Sequence, residues 1–169
     1  GELDEAQALV QSASKLRPGG ATAALRARVD LAQGKIAAAA RWARSSALEA
    51  GSAPPYAAET EHLTRARVLI GLGAANEALA LLGRLQTTAI GGGRGRSLVV
   101  IHVLQALAYQ ALGEMAHALA ELRQALALAE GQGSIRSIID AGPTIAALLV
   151  RLDRAERRRS ARQGGRPGY

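Results

Sequence analysis

The sequence contains no cysteine and no phenylalanine, and aromatic residues make up only 2% of its 169 residues. Without cysteine there is no disulfide, no thiolate chemistry and no cysteine-ligated zinc site. Sandwiches and barrels of β-strands are rich in β-branched and aromatic residues, so this composition argues against both. The lack of disulfides is typical of a reducing compartment, and we expect a cytoplasmic protein.

Long apolar runs are also missing. The most apolar stretch, residues 97–112, is interrupted by His102, Gln105 and Gln110. It therefore falls short of the roughly 18 apolar residues of a membrane span, and we predict no membrane contact. Alanine supplies about a fifth of the chain and leucine is also common. Both are strong helix formers, which favours an all-helical core of Ala, Leu, Ile and Val.

The positive charge is concentrated at the end of the chain. The net charge is +7, from 21 basic and 14 acidic residues, and the segment from Arg151 onward carries seven arginines against two acids. The nearly neutral remainder excludes a globally basic domain that coats nucleic acid. We predict a helical repeat domain at residues 1–152 and a basic, disordered linker at 153–169, where residues 154–159 could extend the last helix. A salt-sensitive contact of this tail with nucleic-acid phosphates is the alternative.

Three glycines mark an internal repeat. Gly34, Gly73 and Gly113 recur at a nearly constant spacing of about 40 residues. We expect each glycine to end one helix and begin a turn, because it tolerates the left-handed conformation needed there. Alanine recurs seven residues before and five residues after every one of them, where it lets two antiparallel helices approach closely. These small residues are Ala27, Ala39, Ala66, Ala78, Ala106 and Ala118.

The hydrophobic periodicity predicts eight helices and no strand. We place them at about residues 3–16, 20–33, 35–50, 57–72, 74–89, 96–112, 114–130 and 141–152. The predicted fold is an all-α, right-handed superhelical solenoid of about three to four helix–turn–helix repeats, each of about 39–40 residues.

These offsets are those of the tetratricopeptide repeat (TPR), with a longer period than usual. The strings ARWARSSALEAG (40–51), ETEHLTRARVLIGLG (59–73) and GSIRSIIDAGPTIAALLVRL (133–152) resemble the TPR-like sensor domain of MalT-type, ATP-dependent LuxR-family transcriptional activators. The resemblance implies a regulatory domain that binds an effector or a partner protein and controls self-association. It also implies that DNA is contacted only through a domain outside this chain. Because the chain begins with Gly1 rather than Met, we expect it to be a fragment.

Motifs for catalysis or cofactor binding are missing. The three histidines lie on different predicted helices without the spacing of a metal site. The segment GGGRGR (91–96) lacks the Lys-Ser/Thr of a phosphate loop and has no preceding strand, so a flexible loop is the simpler interpretation. We therefore predict no enzymatic activity, no cofactor and no bound metal.

We expect the effector or partner to contact polar residues on the concave face of the repeats. His62 and Arg65 on the fourth helix and His102 and Gln105 on the sixth are the first candidates. Arg94, Arg136 and Asp140 are further candidates, although the last two are also spaced to pair with each other on a helix. The alternative function is a TPR scaffold that binds a protein segment without any small-molecule effector.

Overall fold

A computed structural model of the chain describes residues 2–16, 20–45, 58–132, 135, 138 and 142–164. These residues form helices and no strand, so the predicted all-helical class is confirmed. A helix is present among the described residues at the place of each of the eight predicted ones, and residues 46–50, predicted as the end of the third helix, lie outside the described residues. The helices are α1 (Glu2–Leu16), α2 (Gly20–Ala32), α3 (Ile36–Ser45), α4 (Glu59–Gly71), α5 (Ala75–Gly91), α6 (Gly95–Ala111), α7 (Met115–Gln132) and α8 (Pro143–Gly164).

The chain divides into two compact units, Gly1–Arg94 and Gly95–Tyr169. In the first unit α2 packs against α1, α3 and α4, and α4 also contacts α3 and α5. In the second unit α6 packs along α7, and α8 contacts both. Packing between sequence neighbours and next neighbours is the arrangement that stacked helix pairs require.

The glycine turns have the predicted left-handed backbone. Gly73 has φ of 78° and Gly113 has φ of 79°. Beyond these glycines, the amide of Ala74 donates to the carbonyl of Leu69 and that of Glu114 to Tyr109, both at 2.9 Å. This six-residue closure is the Schellman motif, which satisfies carbonyls at a helix end. The glycines therefore end α4 and α6 and start the turns into α5 and α7.

The alanines that lie seven residues before and five residues after each of these glycines are buried where the paired helices pack together. Ala66 and Ala78 in the first unit and Ala106 and Ala118 in the second are all fully buried. Leucine follows each second alanine by one helical turn, and Leu82 and Leu122 are likewise fully buried. Burial of one leucine side chain contributes about 1.5–3 kcal/mol. The alanines allow the two helices of a pair to approach closely, and the buried leucine stabilises their packing.

The last helix extends beyond the predicted domain end. α8 continues past the buried Leu152 to Gly164, where the sequence predicted a disordered tail from residue 153. Arg157 donates to the carboxylate of Asp153 one turn earlier, and Arg123 of α7 donates to Glu156. Arginines in the last turns also interact favourably with the helix dipole, so the charged segment continues as helix. Residues 165–169 lie outside the described residues.

No helix in the described part of the chain has both the length and the apolar character that a membrane span needs.

Candidate functional site

A groove of about 200 Å³ lies in the first unit, between α4 and α5. Its α4 side chains are spaced by three and four residues, so they share one face of that helix. The facing positions of α5 follow the same spacing. The lining residues are His62, Arg65, Leu69, Glu77, Ala80, Leu81 and Arg84.

Burial of the lining residues increases from the rim of the groove inward. Glu77, Ala80 and Arg84 are exposed, whereas His62 and Leu81 each keep only 5% of their surface accessible. The charged residues of α5 are therefore at the rim, and an imidazole beside an apolar leucine forms the inner wall. Such a combination of apolar wall and few polar groups is typical of small-molecule sites.

The His62 imidazole is held neutral and incompletely hydrogen-bonded. Among the described residues, none forms a hydrogen bond with its buried Nδ1 atom. Burial lowers the pKa of His62 below its usual value, and the positive charges of Arg65 and Arg84 lower that pKa further. The ring is thus uncharged at pH 7, with one nitrogen that donates and one that accepts.

The described lining residues of the groove carry charges of both signs. Arg65, Arg84 and Glu77 line it together with the neutral histidine. Serine, threonine and cysteine are not among these described lining residues. Within the described parts of the chain, no three His, Asp or Glu side chains come together where they could hold a metal ion.

His102 and Gln105 lie in the second unit, on α6. Both are largely buried, each with 8% of its surface accessible. The Nδ1 atom of His102 is 2.6 Å from a carboxylate oxygen of Glu121 on α7. The second predicted histidine is therefore engaged by an acid of its own unit.

Arg94 is bonded to a carboxylate of the protein. Its Nε donates to Oε2 of Glu59 at 2.9 Å, and Glu59 is a buried residue in the first turn of α4. The ion pair connects the end of the α5 turn to the start of α4. Contact of Arg94 with a ligand stays a prediction. Arg136 and Asp140 lie outside the described residues, so their predicted roles are also untested.

The structure therefore brings His62 and Arg65 together, and it adds two residues that the sequence analysis missed. Glu77 and Arg84 belong to α5, which was treated only as a packing helix. No feature of the sequence separates Arg84 from an ordinary exposed arginine, because the packing of α5 against α4 decides which of its side chains line the groove.

No curated protein and no solved structure shows significant similarity to the chain. The sequence model of the MalT-like TPR region, however, matches residues 1–155. This match includes the described residues of α1 to α7 and the first half of α8. On this evidence, and in agreement with its helix pairs and glycine turns, the chain belongs to the MalT-like TPR family.

Proposed function

We propose that this chain is the regulatory sensor domain of a MalT-type, LuxR-family transcriptional regulator. In this proposal an effector occupies the groove between α4 and α5 and changes the self-association of the protein. The observation that carries the proposal is the match of residues 1–155 to the MalT-like TPR region, in which a groove lined by polar and apolar side chains lies between two paired helices.

The position of the groove suits a sensor. A ligand that contacts Arg65 of α4 and Arg84 of α5 bridges the two helices of one repeat. Its binding free energy then depends on how those helices are spaced. An effector shifts an equilibrium only by its difference in affinity for the two states, so a site that spans two packed helices can couple binding to rearrangement.

The other parts of the proposal follow from the family. TPR-like helical repeats are typically non-catalytic scaffolds that mediate protein interactions, and we assign this chain no enzymatic activity of its own. We place the protein in the cytoplasm, with itself or another protein as partner. DNA would be contacted only through a separate domain.

The proposal is tested by thermal unfolding and light scattering of the chain against metabolites of different charge. At 100 times its dissociation constant an effector stabilises the folded state by about 2.7 kcal/mol. For a chain of this size that raises the melting temperature by roughly 5–10 °C. We expect such a rise with one class of compound, together with a change in mass.

The matched control is a variant with Arg65→Gln and Arg84→Gln, which should lose the response and keep its fold. If no compound stabilises the chain and its mass never changes, the sensor proposal is wrong. Binding of a peptide under those conditions would instead establish the scaffold function.

A further inference from the structure

We propose that Arg28 of α2 and Arg67 of α4 together bind the phosphate group of a ligand, on the side of α4 that faces away from the groove described above. This site is separate from the proposed effector groove and does not depend on it. Three features of the first unit support it: the placement of the two arginines on neighbouring helices, the lack of a described partner for either, and their combined charge.

The two arginines lie on the faces where α2 and α4 meet. Leu31 of α2 packs so closely on Gly71 of α4 that a Cβ atom on this glycine would come within 2.9 Å of the leucine side chain. Arg28 precedes this leucine by three residues, and Arg67 precedes this glycine by four. Residues spaced by three or four share a helix face. Each arginine therefore lies about one turn before the contact, on the face that is turned toward the other helix.

The two helices run in the same direction, which keeps the arginines side by side. Near the start of α2, the carboxylate of Glu61 from α4 lies where a side chain on Gly20 would stand. The contacts at both ends of this helix pair thus join residues about 40 apart in the chain, and the arginines have almost the same separation. Packed helices have axes about 8–10 Å apart, a distance that two long arginine side chains can span with one anion between them.

Both guanidinium groups are accessible and lack an acidic partner in the described part of the chain. Arg28 is exposed and Arg67 is half-buried. Among the described residues, neither arginine forms a hydrogen bond or an ion pair, and Arg67 has no nitrogen that is enclosed without a partner. Its guanidinium group therefore reaches the surface. Glu61, the acid of α4 nearest to Arg67 in the sequence, lies instead against Gly20, about two turns before Arg28.

The combined charge of the pair favours a bound anion. Burial and the positive charge of Arg28 lower the pKa of Arg67 to about 10. Both groups remain charged at pH 7, so two like charges face each other and one of them is half-buried. This repulsion destabilises the folded chain. An anion bound between the arginines would offset it and would be attracted by both charges.

The chemistry of the pair favours a phosphate group over a single carboxylate. Each guanidinium is a planar fork that forms two parallel hydrogen bonds with a carboxylate or a phosphate. One such fork occupies both oxygens of a carboxylate. A phosphate monoester has three acceptor oxygens and about two negative charges at pH 7. It can therefore bond to both forks at once and neutralise both charges.

The test is thermal unfolding of the complete chain in sodium phosphate, methyl phosphate or sodium acetate, with sodium chloride at the same ionic strength as the reference. We expect phosphate at about ten times its dissociation constant to raise the melting temperature by roughly 3–6 °C. In NMR spectra, the Nε–H signals of Arg28 and Arg67 should shift and reach saturation at the same concentrations. Acetate should cause neither effect.

Variants connect the response to the two arginines. The double variant R28Q/R67Q should weaken phosphate binding by at least about 10-fold. The double variant R26Q/R41Q removes the same net charge at two exposed arginines outside the pair, and it should bind phosphate like the unmodified chain. R28Q alone changes only an exposed side chain and should weaken binding by at least about 3-fold. Circular dichroism verifies that all variants are folded.

The two phosphate compounds distinguish the source of the ligand. Tighter binding of methyl phosphate would identify a phosphorylated molecule as the ligand, and tighter binding of inorganic phosphate would identify the free anion. Three results would overturn the inference: no saturable binding of either compound, acetate binding as tight as phosphate, or equal weakening by the control pair of substitutions.

Discussion

His62 in the first unit and His102 in the second occupy the same repeat position, eleven residues before Gly73 and Gly113, yet their surroundings differ. Both rings are buried. His102 is bonded to Glu121, whereas the buried Nδ1 of His62 has no hydrogen-bond partner among the described residues, and another part of the His62 side chain lines a groove. The comparison teaches that the backbone of the repeat fixes where a histidine lies, and that the neighbouring helix decides what it can do.

The two repeats agree in packing and differ in surface chemistry. Buried residues that coincide in both include Ala66 and Ala106, Ala78 and Ala118, and Leu82 and Leu122, together with the turn glycines. Among the positions that differ are three around the histidine. These pairs are Arg65 and Gln105, Leu81 and Glu121, and Arg84 and Gln124.

Because both repeats are stabilised by the same core packing, we expect the largest loss of unfolding free energy from Leu82→Ala and Leu122→Ala. Both leucines are fully buried at equivalent positions, and each substitution should cost about 2–5 kcal/mol of unfolding free energy. Denaturant unfolding measures the loss. Amide hydrogen exchange shows which helices lose protection.

We expect exchange to accelerate in α4 and α5 for the first variant and in α6 and α7 for the second. Substitution of an exposed leucine, Leu9→Ala in α1, is the control and should have little effect. Equal loss of protection in both units from either variant would contradict two separately packed units.

The second prediction concerns the loss of the contact between His102 and Glu121. Glu121→Leu introduces the residue of the first repeat and leaves a buried nitrogen without its partner, which should cost about 1–3 kcal/mol. The cost should shrink when His102 is already replaced by leucine, because the pair can be lost only once. An unchanged cost in that background would mean that Glu121 acts through other contacts.

Substitution of the turn glycines should lower the unfolding free energy by a smaller amount, and by a similar amount at both positions. Gly73→Ala and Gly113→Ala place a side chain in the left-handed region and should each cost about 1–2 kcal/mol. Gly83, inside α5, has open space around its α-carbon. Gly83→Ala should therefore stabilise the chain by about 0.5–1 kcal/mol. Thermal unfolding compares all three, and a gain from Gly73→Ala would show that the Schellman turn is not required.

The neutral His62 predicts a modest pH dependence. Its pKa in the folded chain is lowered from an ordinary value of 6.5, so the unfolded chain binds more protons in acid. Stability should fall as the pH drops through 6.5, and the loss should level off below the lowered pKa. The variant His62→Gln lacks this contribution and should lose less stability between pH 7.5 and pH 5. His117→Gln, at an exposed histidine, is the control, and identical losses in all three proteins would refute the burial effect.

The sequence predicted most of the fold and only part of the candidate site. Helix places and turns were predictable because glycine and alanine act locally, through the left-handed turn at Gly113 and the close approach at Ala118. The Glu77 and Arg84 contribution was missed because it depends on how α5 faces α4. The last helix was expected to continue as far as Arg159 at most, because the arginine-rich composition of the tail outweighed the helical spacing of Asp153 and Arg157.

The matching of the two repeats also has a consequence for how new specificity could arise in such a protein. A duplicated scaffold carries two copies of every position, and one copy can change while the other preserves the ancestral packing. Leucine stands beside the histidine in the first repeat where the second has glutamate, so an internal carboxylate partner is present in one repeat and absent from that position in the other. Sensors with different ligands can therefore diverge one repeat at a time without any change of backbone.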